Sequence, residues 1–394
     1  MSVLVRLSTA PDARVLQALL PVLQYCPRVL FRDGSKTIVC EADEEAGVSR
    51  ERLRAALADV QPDCSLAEDP SVAIRAEEAA PFTVATLALT VIVPAGGSLP
   101  DKLAAVLLHS AAPMLSMRCL AAGDGLRSAF ELYLGPCEQP EDLRAALREL
   151  AQRSGVDLLL AAADSKRPRR RLVAFDMDST LIDCEVIDEL AERAGVGEAV
   201  AEVTARAMRG ELDFCSSFRE RMARLRGLEA AEIQQVARNL PLMPGAQRLL
   251  RGLAGEGYYT VILSGGFDYF ARQLQELLGI DEVHANHLQI ADGRLTGEVD
   301  GPIVDGERKL QLLEEVAAAR GFALHDTVAV GDGANDLPML GRAGLGVAFH
   351  AKPLVREKAA AAVSFNDLDA LLLVLGIADL SSALAAAQSQ GTAE

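Results

Sequence analysis

Asp176 and Asp178 end the apolar run "LVAF" of residues 172–175, one residue apart, and "STLIDCE" follows. Ser264, Gly265 and Gly266 end a second apolar run, "VILSGGF". Asp332, Asn335 and Asp336 end a third, "VAVGDGANDLPML", and Lys309 in "DGERKL" precedes it by one helical segment. Singly, each segment reads as a turn or a solvated side chain. Together they suit phosphoryl transfer. A phosphate monoester is anionic, and its transition state spreads charge over the equatorial oxygens. Clustered carboxylates would repel it, so a divalent cation such as Mg2+, an oxygen-ligand metal, is expected beside Asp176 and Asp332. Lys309 adds positive charge, and Ser264 with the amides of Gly265 and Gly266 can hold phosphate oxygens. Asp176 is the candidate nucleophile, forming an aspartyl phosphate. Asp178 is the candidate acid for the leaving alkoxide and then the base for water.

These groups need strands that end at one edge. The runs "LVAF", "YTVILS" and "TVAVGD" alternate with helical segments and lack period-two alternation. That pattern predicts an α/β core whose parallel sheet is covered on both faces, with ligands beyond the carboxyl ends of the strands. The core is expected over 172–185 and 251–380, with a helical cap over 186–250, a last helix near 367–375 and a loose tail over 381–394. The first half repeats a βαββαβ order over 1–80 and 81–164, predicting two ferredoxin-like domains with helices on one face of an antiparallel sheet. In the first repeat a helix is expected near 12–20, interrupted by Pro21, and a hairpin turns at Asp33-Gly34. In the second the hairpin turns at Gly123-Asp124-Gly125, and a helix opens at Pro140 and stops at Gly155. Residues 165–171, "SKRPRRR", read as a solvated basic linker.

The 394 residues carry a formal charge of −17. That disfavours general nucleic-acid binding, which needs Lys and Arg on phosphates. The longest strongly apolar run, near residues 82–93, is too short for a membrane span. Seven cysteines with no CxxC pair point to a reducing cytoplasm. The N-terminus shows no signal-peptide pattern.

"DMDSTLI", "SGG", Lys309 and "GDGANDLPML" match, in order, the motifs of haloacid-dehalogenase-type phosphatases. The resemblance implies a Rossmann-like core, Mg2+ dependence and an aspartyl-phosphate intermediate. It also implies that Asp178 offers its backbone carbonyl to the metal and that Asp336 binds or supports the metal.

For the substrate, "RAMRGELDFCSSFRERM" in the cap combines Met208, Phe214 and Arg221, and Glu185 lies nine residues beyond Asp176. Glu185 could bind an ammonium and Arg221 a carboxylate, while Met208 and Phe214 exclude water. Residues 172–375 resemble the phosphoserine phosphatases, and these four residues fall where that family places its serine-binding groups. The resemblance implies hydrolysis of O-phospho-L-serine to L-serine and phosphate, the last step of L-serine synthesis, with Asn335 and Lys309 also on the substrate. It also assigns His284 and His287 to a loop or strand edge rather than to a metal. Two competing readings are a phosphotransferase acting on a hydroxy amino acid such as homoserine, and an amino-acid sensor with a vestigial core. The intact set Asp176, Asp178, Lys309 and Asp332 argues against the sensor.

The N-terminal repeats resemble ACT-type regulatory domains, implying an amino-acid effector and a homodimer. "STAPDARV" and "PAGGSLPDKL" depart from the usual Asp-x-x-Gly turn, which counts against serine binding there but not against a dimerisation role; the Gly96-Gly97 turn is the candidate effector site.

Overall fold

The computed structural model describes residues 2–7, 13–23, 26, 28–32, 37–41, 50–58, 65–68, 85–122, 127–163 and 171–377. They form two compact units. The first comprises Met1–Pro168, Ser364–Asn366 and Leu373–Ala378. Its first repeat runs β1 (Ser2–Arg6), α1 (Ala13–Leu23), β2 (Arg28–Arg32), β3 (Thr37–Glu41), α2 (Arg50–Leu57) and β4 (Ser65–Glu68). The second runs β5 (Leu87–Pro94), α3 (Leu103–His109), β6 (Met114–Ala122), β7 (Arg127–Leu134), α4 (Pro140–Ser154) and β8 (Asp157–Ala162). Both are βαββαβ, as expected. They do not keep separate sheets: β2 pairs antiparallel with β6, giving one eight-stranded sheet ordered β4-β1-β3-β2-β6-β7-β5-β8. Alternate strand residues (Leu89, Val91, Val93; Phe130, Leu132, Leu134) pack with Leu16, Leu53, Leu103 and Leu147 of the four helices in one core.

Helix α1 carries Pro21 inside it and continues to Leu23. The expected interruption is overridden because Val22 and Leu23 bury against the core. Helix α4 has Pro140 in its first turn and ends on Gly155 at φ +66°, a left-handed cap that suits glycine. Both hairpin turns, Asp33-Gly34 and Gly123-Asp124-Gly125, lie outside the described residues, as do the tail and the linker apart from Arg171. Residues 364–366 join this unit through Asp157 at the start of β8. Its Oδ1 accepts from Ser364 N at 2.7 Å and its Oδ2 from Asn366 Nδ2 at 2.8 Å. Burial raises the Asp157 pKa against these hydrogen bonds.

The second unit opens with β9 (Leu172–Phe175), followed by α5 (Val186–Arg193), α6 (Gly197–Met208), α7 (Phe214–Arg224), α8 (Ala230–Arg238) and α9 (Ala246–Gly255). Then come β10 (Tyr259–Phe267), α10 (Asp268–Leu278), β11 (Glu282–Ala291), β12 (Arg294–Asp300), α11 (Gly306–Ala319) and β13 (Thr327–Gly331). The chain closes with α12 (Leu337–Arg342), β14 (Leu345–Phe349), α13 (Pro353–Lys358), β15 (Ala361–Val363) and α14 (Ala370–Val374). The seven-stranded sheet is ordered β12-β11-β10-β9-β13-β14-β15, parallel except where β12 pairs with β11. Leu172 and Ala174 face a core with Leu312, Leu313 and Met339 of α11 and α12. Val173 and Phe175, on the opposite face, are equally buried, so the missing alternation reports a sheet covered twice.

Helix α14 is shorter than the one expected over 367–375. The residues before it are committed elsewhere: Leu368 N donates to Pro244 O, and Asp369 pairs with Arg248 at 3.2 Å. His284 and His287 lie within β11, an interior strand of the sheet, and each meets a carboxylate, Glu282 and Asp268 respectively. Among the described residues no helix is long and apolar enough to cross a membrane.

Candidate active site

Strand β9 pairs in parallel with β13 in the register Phe175↔Val330, so Asp176 and Asp332 leave the sheet at the same edge. Asp176 N donates to Val330 O at 2.9 Å, which extends the ladder to the reactive position. Carboxylate oxygens of Asp176, Asp332 and Asp336 lie within 4.8 Å of one another. Helix α11, capped by Asp305, sends Lys309 into the cluster. Lys309 is fully buried, with Nζ at 2.8 Å from Asp176 Oδ2 and 2.7 Å from Asp336 Oδ1. The other Asp336 oxygen accepts from Gly333 N at 2.9 Å.

The protonation tendencies follow from burial and like charge. Burial, then the Asp176 and Glu185 charges, raises Asp332 to about 7. Burial and Asp176 also raise Asp336, against the pull of Lys309. Burial works against charge on Lys309, but Asp176 and Asp336 outweigh it and hold its pKa above the usual lysine value. Asp178 is raised well above the carboxylate range by burial, then by Glu185 and Asp176. A carboxyl whose burial and anionic neighbours favour its protonated form is equipped to donate a proton. Three carboxylates face one buried ammonium, so negative charge is in excess. An all-oxygen donor set with unmet negative charge fits a hard divalent cation of the Mg2+ type, whereas zinc sites draw on nitrogen and sulfur.

Above the cluster lies a cavity of about 590 Å³. From the sheet side Asp176, Asp178, Gly265, Gly266, Asp332 and Asn335 line it. From the helical segment between β9 and β10 come Glu185, Met208, Phe214 and Arg221. Ten of the thirteen residues singled out from the sequence therefore share one surface. Lys309 and Asp336 stand buried behind it. Ser264 does not line the cavity, contrary to the expectation that its side chain faces phosphate. It is fully buried, and its Oγ accepts from Gly266 N at 2.9 Å, shaping the loop. A Cβ at Gly266 would sit 2.7 Å from Asp178 Oδ2, so only glycine lets the loop pass this close to the acid.

Met208 is 75% exposed, so it is not core packing. Phe214 stacks on Phe218 at 6.3 Å and reaches Gly265, where its Cζ would meet an added Cβ at 3.1 Å. Arg221 Nε is buried with no hydrogen-bond partner among the described residues. Burial lowers the Arg221 pKa, and Asp188, Glu185 and Asp178 work in the opposite direction. Glu185 opens to the cavity but is ringed by protein. Burial raises its pKa, while Ser179 Oγ, donating to Oε1 at 3.0 Å, stabilises the charged form.

Four nearby residues escaped the sequence reading. Ser179 holds Glu185 from a left-handed backbone position, φ +56°. Thr180 Oγ1 donates to Asp332 Oδ1 at 3.5 Å. Asp188 lines the cavity one helical turn beyond Glu185, a spacing visible in the sequence. Lys352 also lines it, just after β14. Treating β14 as a fourth strand end at the same edge would have found it.

Residues 173–341 match the haloacid dehalogenase-like hydrolase family. A phosphoserine phosphatase of Streptomyces coelicolor is 47% identical over 72% of this chain and 71% of that one. The chain belongs to the phosphoserine phosphatases of the haloacid dehalogenase-like hydrolases. Among solved structures, a haloacid dehalogenase family hydrolase from Salmonella enterica serovar Typhi aligns with a TM-score of 0.65 at 32% identity, covering 73% of this chain and 98% of that one. A phospho-aspartyl intermediate analogue of a phosphoserine phosphatase aligns with a TM-score of 0.50 at 41% identity, covering 52% of this chain and 99% of that one. The family's catalytic fold thus accounts for the second unit.

Proposed function

We infer that this protein hydrolyses O-phospho-L-serine to L-serine and phosphate, as an Mg2+-dependent phosphatase at the end of L-serine synthesis. The observation that carries the substrate is the unsatisfied, buried Arg221 Nε facing the same cavity as Glu185. Such a donor calls for a planar anion, and an amino acid supplies its carboxylate there and its ammonium to Glu185. The homoserine-directed phosphotransferase and the vestigial sensor lack a comparable observation.

In the proposed chemistry Asp176 attacks phosphorus, forming an aspartyl phosphate as the ester bond breaks. Asp178, whose proton is favoured by burial, gives it to the serine alkoxide and then takes one from the attacking water. Lys309 holds Asp176 in place from 2.8 Å. Asp176, Asp332 and the Asp178 backbone carbonyl are the proposed holders of Mg2+, which when bound offsets carboxylate charge and polarises the phosphoryl group. Asp336, with both oxygens already engaged, supports them through Lys309. The amides of Gly265 and Gly266 with Asn335 are proposed on the phosphate oxygens, and Met208 and Phe214 shield them from water. Asp176→Asn is expected to abolish phosphate release from phosphoserine; retained turnover would remove the covalent route.

The domain limits proposed are two ACT-like domains over 1–80 and 81–164, a linker over 165–171, a catalytic core over 172–185 and 251–380, a cap over 186–250 and a tail over 381–394. An amino-acid effector near the Gly96-Gly97 turn and a homodimer are part of the proposal, carried by the resemblance of the N-terminal repeats to ACT-type domains. So is a cytoplasmic location. It draws support from the odd number of cysteines and the lack of a CxxC pair in the sequence.

A further inference from the structure

The cavity is lined by five carboxylates, Asp176, Asp178, Glu185, Asp188 and Asp332, on a chain of net charge −17. An anionic ester must enter this field. Of the cavity-lining residues, Arg221 and Lys352 carry positive charge, and Arg221 stands among the helices of the segment between β9 and β10. Lys352 stands at the sheet edge. Its backbone is fixed there: Lys352 N donates to Asp332 O at 3.3 Å, His350 N donates to Val363 O at 2.9 Å, and Pro353 starts α13 immediately after it. The side chain is exposed and makes no ion pair with any described residue. Its charge favours the ionised forms of both Asp332 and Glu185, which line the same cavity.

We propose that Lys352 is a positioning residue for the phosphoryl end of the substrate. Its ammonium meets the outward phosphate oxygens on entry and offsets the repulsion from Asp332 and Glu185. A lysine suits this task because it is a compact, mobile point charge, able to follow an anion into place. A local positive group is also what lets an anion approach an acidic surface. The inference rests on the phosphatase reading and adds to it a residue outside the four family motifs.

The test compares the full-length protein with Lys352→Gln and Lys352→Arg. Binding of inorganic phosphate is measured by calorimetry in Mg2+, with kinetics on phosphoserine and on p-nitrophenyl phosphate. Lys352→Gln is expected to weaken phosphate binding and raise KM about tenfold, with kcat changed less than threefold. Half-saturating Mg2+ should stay the same or fall, because a cation near Asp332 has been removed. Lys352→Arg should recover most of the loss, and the salt dependence of kcat/KM should flatten in Lys352→Gln. Unchanged phosphate affinity and KM would overturn the proposal. So would a parallel loss of Mg2+ affinity and kcat, the mark of a structural role. Inactivity of the wild type on phosphoserine would overturn the substrate instead, and phosphate calorimetry would still decide the role of Lys352.

Discussion

Replacing Lys309 by methionine removes a charge while nearly keeping the side chain's bulk. Lys309 Nζ sits 2.8 Å from Asp176 and 2.7 Å from Asp336, all three being buried. Stripping one partner from a buried ion pair costs about 3–5 kcal/mol, because the remaining charge is left uncompensated. For a unit of this size that is about 6–20 °C in Tm. The effect should depend on pH with a definite sign. Lys309 has a raised pKa, so its own stabilisation is complete below its unfolded value and does not change between pH 6 and 8. Asp336 is raised to about 7, so protonating it favours the folded state, and that contribution is lost as pH rises through about 7. Without Lys309 the need for that proton grows. The Tm deficit of Lys309→Met, measured without metal, should therefore be largest at pH 8 and shrink toward pH 6. Saturating Mg2+ should reduce it at every pH. Hydrolysis of phosphoserine should fall by about 10²–10³-fold, as for loss of a positioned charge in the transition state. A deficit constant from pH 6 to 8 would mean that only packing was lost, and would refute the charge argument. Activity within tenfold of wild type would refute the catalytic part.

Three more perturbations test other parts of the molecule. Arg221→Ala should raise KM for phosphoserine by about 10–100-fold, the range of a charged hydrogen bond, with much less effect on p-nitrophenyl phosphate; equal changes would show that Arg221 does not read the carboxylate. Ser179→Gly keeps the left-handed backbone but deletes the hydroxyl that holds Glu185, so KM should rise about threefold to tenfold at steady kcat, and an unchanged KM would show that the hydrogen bond is dispensable. Asp157→Ala leaves the half-buried Ser364 N and the buried Asn366 Nδ2 without this acceptor and should cost about 2–4 kcal/mol by urea unfolding. Unaltered hydrogen exchange at residues 364–366 in that variant would exclude the anchoring role.

The chemistry of the site and the class of its scaffold were legible in order and spacing. Asp176, Asp178, Asp332 and Asp336 follow apolar runs, and a parallel sheet brings such run ends to one edge whatever lies between them. The doubled βαββαβ order was legible for the same local reason: turn residues and periodicity recur. What local patterns do not carry is which edges meet and which way a side chain turns. That β2 pairs with β6 to fuse the two repeats is a choice between free sheet edges, decided by complementary surfaces. Pro21 argues locally against continuing a helix, and the burial of Val22 and Leu23 outweighs it. Ser264 shares the motif of its glycine neighbours, yet only the folded loop shows its hydroxyl turned inward to Gly266. Ser179, Asp188 and Lys352 look like ordinary polar residues along the chain. Their roles come from the cavity they share, where burial and neighbouring charge change what an ordinary side chain does. The sequence by itself thus determined which chemical groups this protein brings to phosphorus. Tertiary structure alone decided which of them face the substrate and which stand behind, because that depends on distances and desolvation between residues far apart in the chain.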